Sequence, residues 1–254
     1  MENTRLIYKN YWRDGTMVGY TTQNTQFPAV STQDDDTTLT WRSTAIAAAQ
    51  KVDCDLGAAV TYDFVALLGH NISPGVTYIR IYGADDDAFT TNVVYDNLTW
   101  NEGDIFAFLG TARTKRYVRV YITDTGNPDG YIEVGTVVVG KYVDLGCPFV
   151  QGYSWGADND TESDETPSHN RFITLSRPAR DTRHCVWNSL SETGRGYIAA
   201  AVRECGNMAQ ALALCFDYTD AQNNTYWLLM KDPGAPVNIS AALWSWECSF
   251  VECV

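Results

Sequence analysis

Tyr117-Val118-Arg119-Val120-Tyr121-Ile122 sets Val118, Val120 and Ile122 on one side of an extended chain and Tyr117, Arg119 and Tyr121 on the other. Side chains alternate across a strand, so the stretch reads as a strand with one apolar face. Tyr78-Ile79-Arg80-Ile81-Tyr82 repeats the pattern, with Ile79 and Ile81 inward. Tyr131-Ile132-Glu133-Val134 runs on into Val137-Val138-Val139. Asp63-Phe64-Val65-Ala66-Leu67-Leu68 does not alternate; it is continuously apolar after its first residue, as a strand covered on both faces would be. Ser73-Pro74-Gly75, Gly83-Ala84-Asp85 and Gly126-Asn127-Pro128-Asp129-Gly130 supply turns between these runs. Short strands at this spacing predict a β-sandwich. Residues 45–51, with three consecutive alanines, predict one short helix.

The pattern changes after Lys141-Tyr142-Val143-Asp144-Leu145-Gly146, which predicts two units, 1–147 and 148–254, with the first unit's core at 38–140. Asp158 to Thr166 reads as an exposed acidic loop. Strands follow at Arg171–Ser176 and Asp181–Trp187, then a helix from about Leu190 to Cys205. Its Ile198, Ala201, Val202 and Cys205 share a face, while Gly194 and Gly196 weaken its first turn. Three strands close the chain, at Ala209–Tyr218, Tyr226–Lys231 and Ala241–Glu252. In the last, Trp244, Trp246, Cys248 and Phe250 point one way and Ser245, Glu247 and Ser249 the other. The fold class is therefore mainly β: a sandwich, then an α+β unit of antiparallel strands with one helix.

The 254 residues carry 18 basic and 31 acidic side chains, a net charge of −13. The acidity is spread, −7 up to residue 147 and −6 beyond it. With no basic half to displace counterions, nucleic acid is not an expected partner, nor is an anionic membrane surface. No apolar run is long enough for a membrane span. The start, MENTRLIYKNYWRDG, lacks the layout of a signal peptide, so a reducing cytosol is the expected place of synthesis. Seven cysteines (54, 147, 185, 205, 215, 248, 253), an odd number without a CxxC, then read as free and mostly buried thiols.

Read in order, Trp41-Arg42-Ser43, Val52-Asp53-Cys54-Asp55-Leu56-Gly57, Phe64 to Asn71, Tyr78 to Ala84, Arg116-Tyr117-Val118-Arg119-Val120 and Ile132-Glu133-Val134-Gly135 resemble a discoidin-type, galactose-binding-like jelly roll over roughly residues 38–140. The wording VALLGHN, then Ser73-Pro74-Gly75 and IRIYGADD, is similar to virion proteins of tailed bacteriophages that carry such a jelly roll at the tail tip or baseplate. The alternating aromatic end strand with Phe250-Val251-Glu252 resembles phage tail-ring (distal-tail-like) proteins. The resemblance implies a structural virion protein in the phage tail. It would be assembled in the host bacterial cytoplasm as a homo-oligomeric ring with other tail and baseplate proteins. Contact with a host-surface glycan goes with that reading. The alternative is a free-standing carbohydrate-binding module protein; an enzyme with an appended jelly roll ranks last.

Catalytic residues are not expected. His184 and Cys185 are strand neighbours and face opposite ways, and there is no GxSxG. Glycan sites need an aromatic platform flanked by polar groups, and Trp100, His70, Asn71 and Arg42 are the candidates. Trp41 reads as core, and His70 doubles as a turn former in Gly69-His70-Asn71. Trp244, Trp246 and Trp227 are candidates for a subunit interface, with packing inside their own unit as the competing role. Asp158, Asp160, Glu162 and Asp164 recur at Ca²⁺-loop spacing but lack the loop's glycine and closing glutamate, so water-facing carboxylates are the expectation. The jelly-roll resemblance implies that Asp34, Asp36, Asp85 and Asp87 are the residues to watch for a structural Ca²⁺. No other cofactor is expected.

Overall fold

Every alternating stretch of the sequence becomes an antiparallel strand. The computed structural model describes residues 3–149, 154–158, 161–165, 171–175, 180–205 and 209–253, the three short stretches between 154 and 175 by their backbone pairing. The strands up to residue 144 are β1 (Arg5–Ile7), β2 (Thr16–Tyr20), β3 (Trp41–Arg42), β4 (Gln50–Leu67), β5 (Tyr78–Ala84), β6 (Val94–Asn97), β7 (Ile105–Thr123), β8 (Glu133–Val134), β9 (Val137–Gly140) and β10 (Val143–Asp144). After them come β11 (Ser154–Asp158), β12 (Thr161–Glu165), β13 (Arg171–Leu175), β14 (Arg180–Leu190), the helix α1 (Glu192–Cys205) and β15 (Ala211–Cys215). The single-turn α2 (Ala221–Asn224), β16 (Thr225–Asp232), β17 (Val237–Ser240) and β18 (Leu243–Glu252) complete the chain.

The sandwich is built on a six-stranded sheet in the order β2-β4-β7-β5-β6, with β9 also on β4, and a two-stranded sheet of β3 and β8. Val52, Cys54, Val65, Leu67, Ile79, Ile81, Val118, Val120 and Ile122 point inward, against Trp12, Trp41, Ile132 and Val134. Trp41 is core, as its position predicts. The long strands β4 and β7 pair through two register shifts, between Asp55 and Val60 and between Tyr62 and Phe64. Such bulges bend and twist a strand pair, which lets one pair serve both ends of the body.

An eight-stranded antiparallel sheet follows the order β10-β1-β15-β16-β18-β14-β11, with β17 on β18. β1 lies between β10 and β15, so the chain enters and leaves the sandwich at adjacent strands of the other sheet. Three residues, Arg-Leu-Ile, are too short to announce that pairing by periodicity. Helix α1 covers the sheet with Ile198, Ala201 and Cys205, over Trp187, Leu190, Trp246, Cys248 and Phe250. Gly194 is a packing residue as well as a helix weakener: a Cβ there would stand 2.5 Å from the Leu145 carbonyl oxygen.

The two bodies share an apolar seam. Phe64, Ala66, Leu68 and Val138 meet Ile7, Ala211, Ala213 and Trp227. This is the covering that the unbroken apolar run from Phe64 to Leu68 requires. Polar groups pin the seam. Asp35 accepts from Arg13 at 3.1 Å and from the Ala211 N–H at 2.8 Å, and Arg13 also donates to Gln210 at 2.9 Å. The Arg5 guanidinium sits over the rings of Tyr218 at 3.6 Å and Tyr142 at 4.3 Å.

Two local expectations are corrected. Residues 45–49 form no helix, and Gln50 already begins β4. Ser43 donates to the Ala45 carbonyl at 2.9 Å and Gln50 to the Ala48 carbonyl at 3.0 Å, so side chains take the carbonyls a helix would use, and a single helical turn is costly to nucleate. Thr161–Glu165 is a strand of a hairpin, not a loop: Thr161 faces Leu175 and Glu165 faces Arg171. The apolar, β-branched partner strand carries the pairing. Residues 159, 160 and 166 of that acidic stretch, and His169, lie outside the described residues.

Candidate functional site

At one end of the sandwich, β4 stops at a glycine. Gly69 has φ +59, a conformation that a side chain would strain, and its N–H donates to Asp104 at 2.9 Å. The chain then turns through His70 and Asn71. His70 Nδ1 accepts the Ile72 N–H at 3.1 Å, and burial pushes the ring's pKa down, favouring the neutral form. Asn71 donates to Asp129 and to the Tyr131 carbonyl and accepts the Glu133 N–H at 2.7 Å. Both side chains are therefore engaged in holding loops.

Arg42 pairs with Glu133 at 3.0 Å and lies over the rings of Phe27 at 3.8 Å and Tyr131 at 5.1 Å. It reaches Asn71 only through Glu133. Trp100 donates from Nε1 to the Ile72 carbonyl at 2.8 Å, which ties it to the His70 turn. The structure thus gathers His70, Asn71 and Trp100 around residues 70–72 and leaves Arg42 one residue removed.

Trp100 does form a wall. An open cavity of about 250 Å³ lies between Trp100, Leu98 and Asn97 on one side and Tyr78, Val76 and Pro74 on the other. Two of its lining residues, Tyr78 and Asn97, also belong to the outer face of β5 and β6. Register sets Arg80 opposite Asn97 and Tyr82 opposite Tyr95. Arg80 donates from Nε to Asn97 Oδ1 at 2.9 Å and lies over Tyr78 at 3.9 Å and Tyr95 at 5.0 Å. Tyr82 touches both Tyr95 and Tyr121, at 5.5 Å between ring centres in each case. Tyr78 is 44% and Tyr95 52% exposed. The inner half of Tyr78-Ile79-Arg80-Ile81-Tyr82 reads as core, and by the same period of two its outer half displays Tyr78, Arg80 and Tyr82 together, a face outside the sequence-based candidates.

The C-terminal tryptophans are placed differently from one another. Trp246 is buried and donates to the Pro233 carbonyl at 2.6 Å. Trp227 is buried in the seam and donates to the Asp35 carbonyl at 3.2 Å. Trp244 is half-buried, with Arg195 over its ring at 4.9 Å. Beside it, Val237, Ile239 and Leu243 of the β17–β18 hairpin are exposed.

The candidate Ca²⁺ carboxylates act as turn formers. Asp34 accepts from the Asp36 N–H, Asp36 from Thr38, and Asp85 from Asn92 and Lys115. Asp87 is exposed. Among the described residues no three His, Cys, Asp or Glu side chains converge as a metal site would need. All seven thiols are free, and burial pushes Cys54, Cys185, Cys205 and Cys253 up to about 12. Such thiols are not thiolate nucleophiles near neutral pH.

No family profile and no curated protein matches the sequence. Solved structures do. Chitosan-binding module 1 from a chitosanase/glucanase of Paenibacillus sp. IK-5 is 24% identical, covering 52% of this chain and 98% of its own, with a TM-score of 0.43. Chitosan-binding module 2 of that enzyme, in complex with chitotriose, is 16% identical over 52% and 99%, with a TM-score of 0.43. A family 32 carbohydrate-binding module of C. perfringens, in complex with galactose, is 16% identical over 55% and 99%, with a TM-score of 0.41.

Proposed function

We propose that the N-terminal sandwich binds a saccharide without altering it, in the cavity between Trp100 and Tyr78. The observation that carries this reading is the composition of that cavity. A tryptophan wall fixed by its own hydrogen bond faces an exposed tyrosine ring, and the Asn97 carboxamide stands at the rim. Sugar rings offer C–H faces to aromatic side chains and hydroxyls to amides, so the pairing of surfaces is chemically matched. The site is shallow and open, which suits a residue within a longer glycan. The test is titration of the full chain with neutral and acidic oligosaccharides. Binding that Tyr78→Ala abolishes supports the reading, and no binding to any of them contradicts it.

A second reading concerns the C-terminal unit. In it the chain is a homo-oligomeric subunit of a phage tail tip or baseplate, and the sandwich is its glycan-contacting decoration. The exposed apolar hairpin favours it: Val237 and Ile239 lie on a strand that pairs only with β18 among the described residues. An open strand edge bearing apolar side chains is a template for another chain. Sedimentation of the full chain checks it. A ring-sized species that Val237→Asp with Ile239→Asp converts to a monomer is expected, and a monomer at all concentrations contradicts it.

A further inference from the structure

The charge pattern of the sandwich narrows the kind of sugar. With 31 acidic residues against 18 basic ones, arginines of this chain readily find carboxylates. On the same body Arg119 pairs with Asp53 at 2.6 Å, Arg116 with Asp55 at 2.8 Å, Arg113 with Asp96 at 2.8 Å and Arg42 with Glu133 at 3.0 Å. Arg80 has no carboxylate partner among the described residues. Its contacts are the Asn97 amide oxygen, a long bond to the Tyr82 hydroxyl at 3.4 Å, and the two flanking rings.

We propose that the cavity and the Tyr78–Arg80–Tyr95 face beside it take a carboxylate-bearing sugar, of the uronate or sialate type, whose ring lies on tyrosine and whose carboxylate pairs with Arg80. The proposal rests on the saccharide reading given above and adds its chemical class. The Arg80 guanidinium lies 3.9 Å from the centre of the Tyr78 ring and 5.0 Å from that of Tyr95, contacts that restrict its side chain before a ligand arrives. Its Nε is oriented by Asn97 and its Nη1 makes the long bond to the Tyr82 hydroxyl, which leaves Nη2 and the second N–H of Nη1 to a carboxylate. A neutral sugar offers that cation hydroxyl acceptors alone; a carboxylate adds a paired opposite charge. The net charge of −13 does not forbid an anionic ligand. Screening at physiological salt, with a length of about 8 Å, leaves the adjacent guanidinium dominant over distant carboxylates. Asp96, on the neighbouring strand, is itself neutralised by Arg113.

The experiment is calorimetric titration of the full chain with trigalacturonate and 3′-sialyllactose, against galactotriose and lactose as neutral counterparts. Wild-type protein should bind at least one acidic sugar more tightly than its neutral counterpart, by about tenfold or more, with the advantage shrinking as salt is raised. Arg80→Gln should remove that advantage and leave neutral binding where it was; Arg80→Lys should restore part of it. Tyr78→Ala should weaken both. Trigalacturonate without 3′-sialyllactose, or the reverse, identifies which acidic sugar the face accepts. Equal affinity for acidic and neutral sugars, untouched by Arg80→Gln, overturns the acidic class and leaves the saccharide reading standing. No binding of any of the four overturns both. So does a Tyr78→Ala or Arg80→Gln effect seen on self-association alone, which would make this face a contact between copies of the chain.

Discussion

The large sheet of the sandwich has one outer face and two fates for it. At the β9 end, Phe64, Ala66 and Leu68 point outward and the C-terminal sheet covers them. At the β6 end, Tyr78, Arg80, Tyr82 and Tyr95 point outward, Tyr78 and Tyr95 exposed and Arg80 and Tyr82 half-buried. The covered end is aliphatic and aromatic hydrocarbon, which has no use in water and is stabilised by burial. The open end is made of rings with hydroxyls and a guanidinium, groups that tolerate water and still offer flat apolar area. The same backbone geometry therefore yields a structural joint at one end and an open aromatic face, the proposed binding surface, at the other, and side-chain chemistry makes the difference.

Phe64→Ala should break the comparison hardest. Phe64 is fully buried and touches Phe106 and Phe108, so its loss should cost about 3–5 kcal/mol by denaturant unfolding, with the seam opening first. A cost below about 1 kcal/mol would mean the covered end is no joint. Next in size, Asp53→Ala strands Arg119, which holds the carboxylate through bonds of 2.6 and 2.8 Å beside the open end. A loss of roughly 3 kcal/mol is expected, measured the same way.

The pH dependence should run in opposite directions for the buried seam and for the solvent-facing side of the sheet. At the seam, burial pushes the carboxyls of Asp35, Asp63, Asp104 and Glu252 up. A raised folded value favours the protonated form, so their contribution is present below the ordinary carboxylate range and lost as pH rises through the folded values. On the outer face, the Arg116 bond holds Asp55 down, so its contribution is present above that range and lost as pH falls. Melting temperature against pH should show both limbs. Asp104→Asn should flatten the decline on raising pH, and Asp55→Asn the decline on lowering it. Smallest of all, Tyr95→Ala should change stability by less than about 0.5 kcal/mol while weakening saccharide binding, because its ring is exposed and supports no core.

How much of this was legible depended on the length of each signal. The long alternating strands, the helix at 192–205 and the doubly covered run from Phe64 to Leu68 all carry enough residues for a period to show. Arg5–Ile7 is too short, and its partner strand lies about two hundred residues away, so its place in the second sheet was invisible. The alanines of 45–49 misled because side chains of Ser43 and Gln50, outside the run, decide its carbonyl bonding. For the site, Trp100 was legible as an aromatic in a loop; its tie to Ile72 was not. Asn71 looks available in sequence and is occupied in the fold, whereas His70, read there as a turn former, holds its turn through Nδ1. The Tyr78–Arg80–Tyr95 face needs the cross-strand register of β5 and β6 to be assembled, and no single stretch contains it.

Amide hydrogen exchange of the full chain, with and without saturating trigalacturonate, tests the central claim most directly. Slowed exchange concentrated in residues 77–82 and 94–100 is the predicted result. No slowing anywhere, or slowing confined to the loops around Arg42 and residues 127–133, would contradict it.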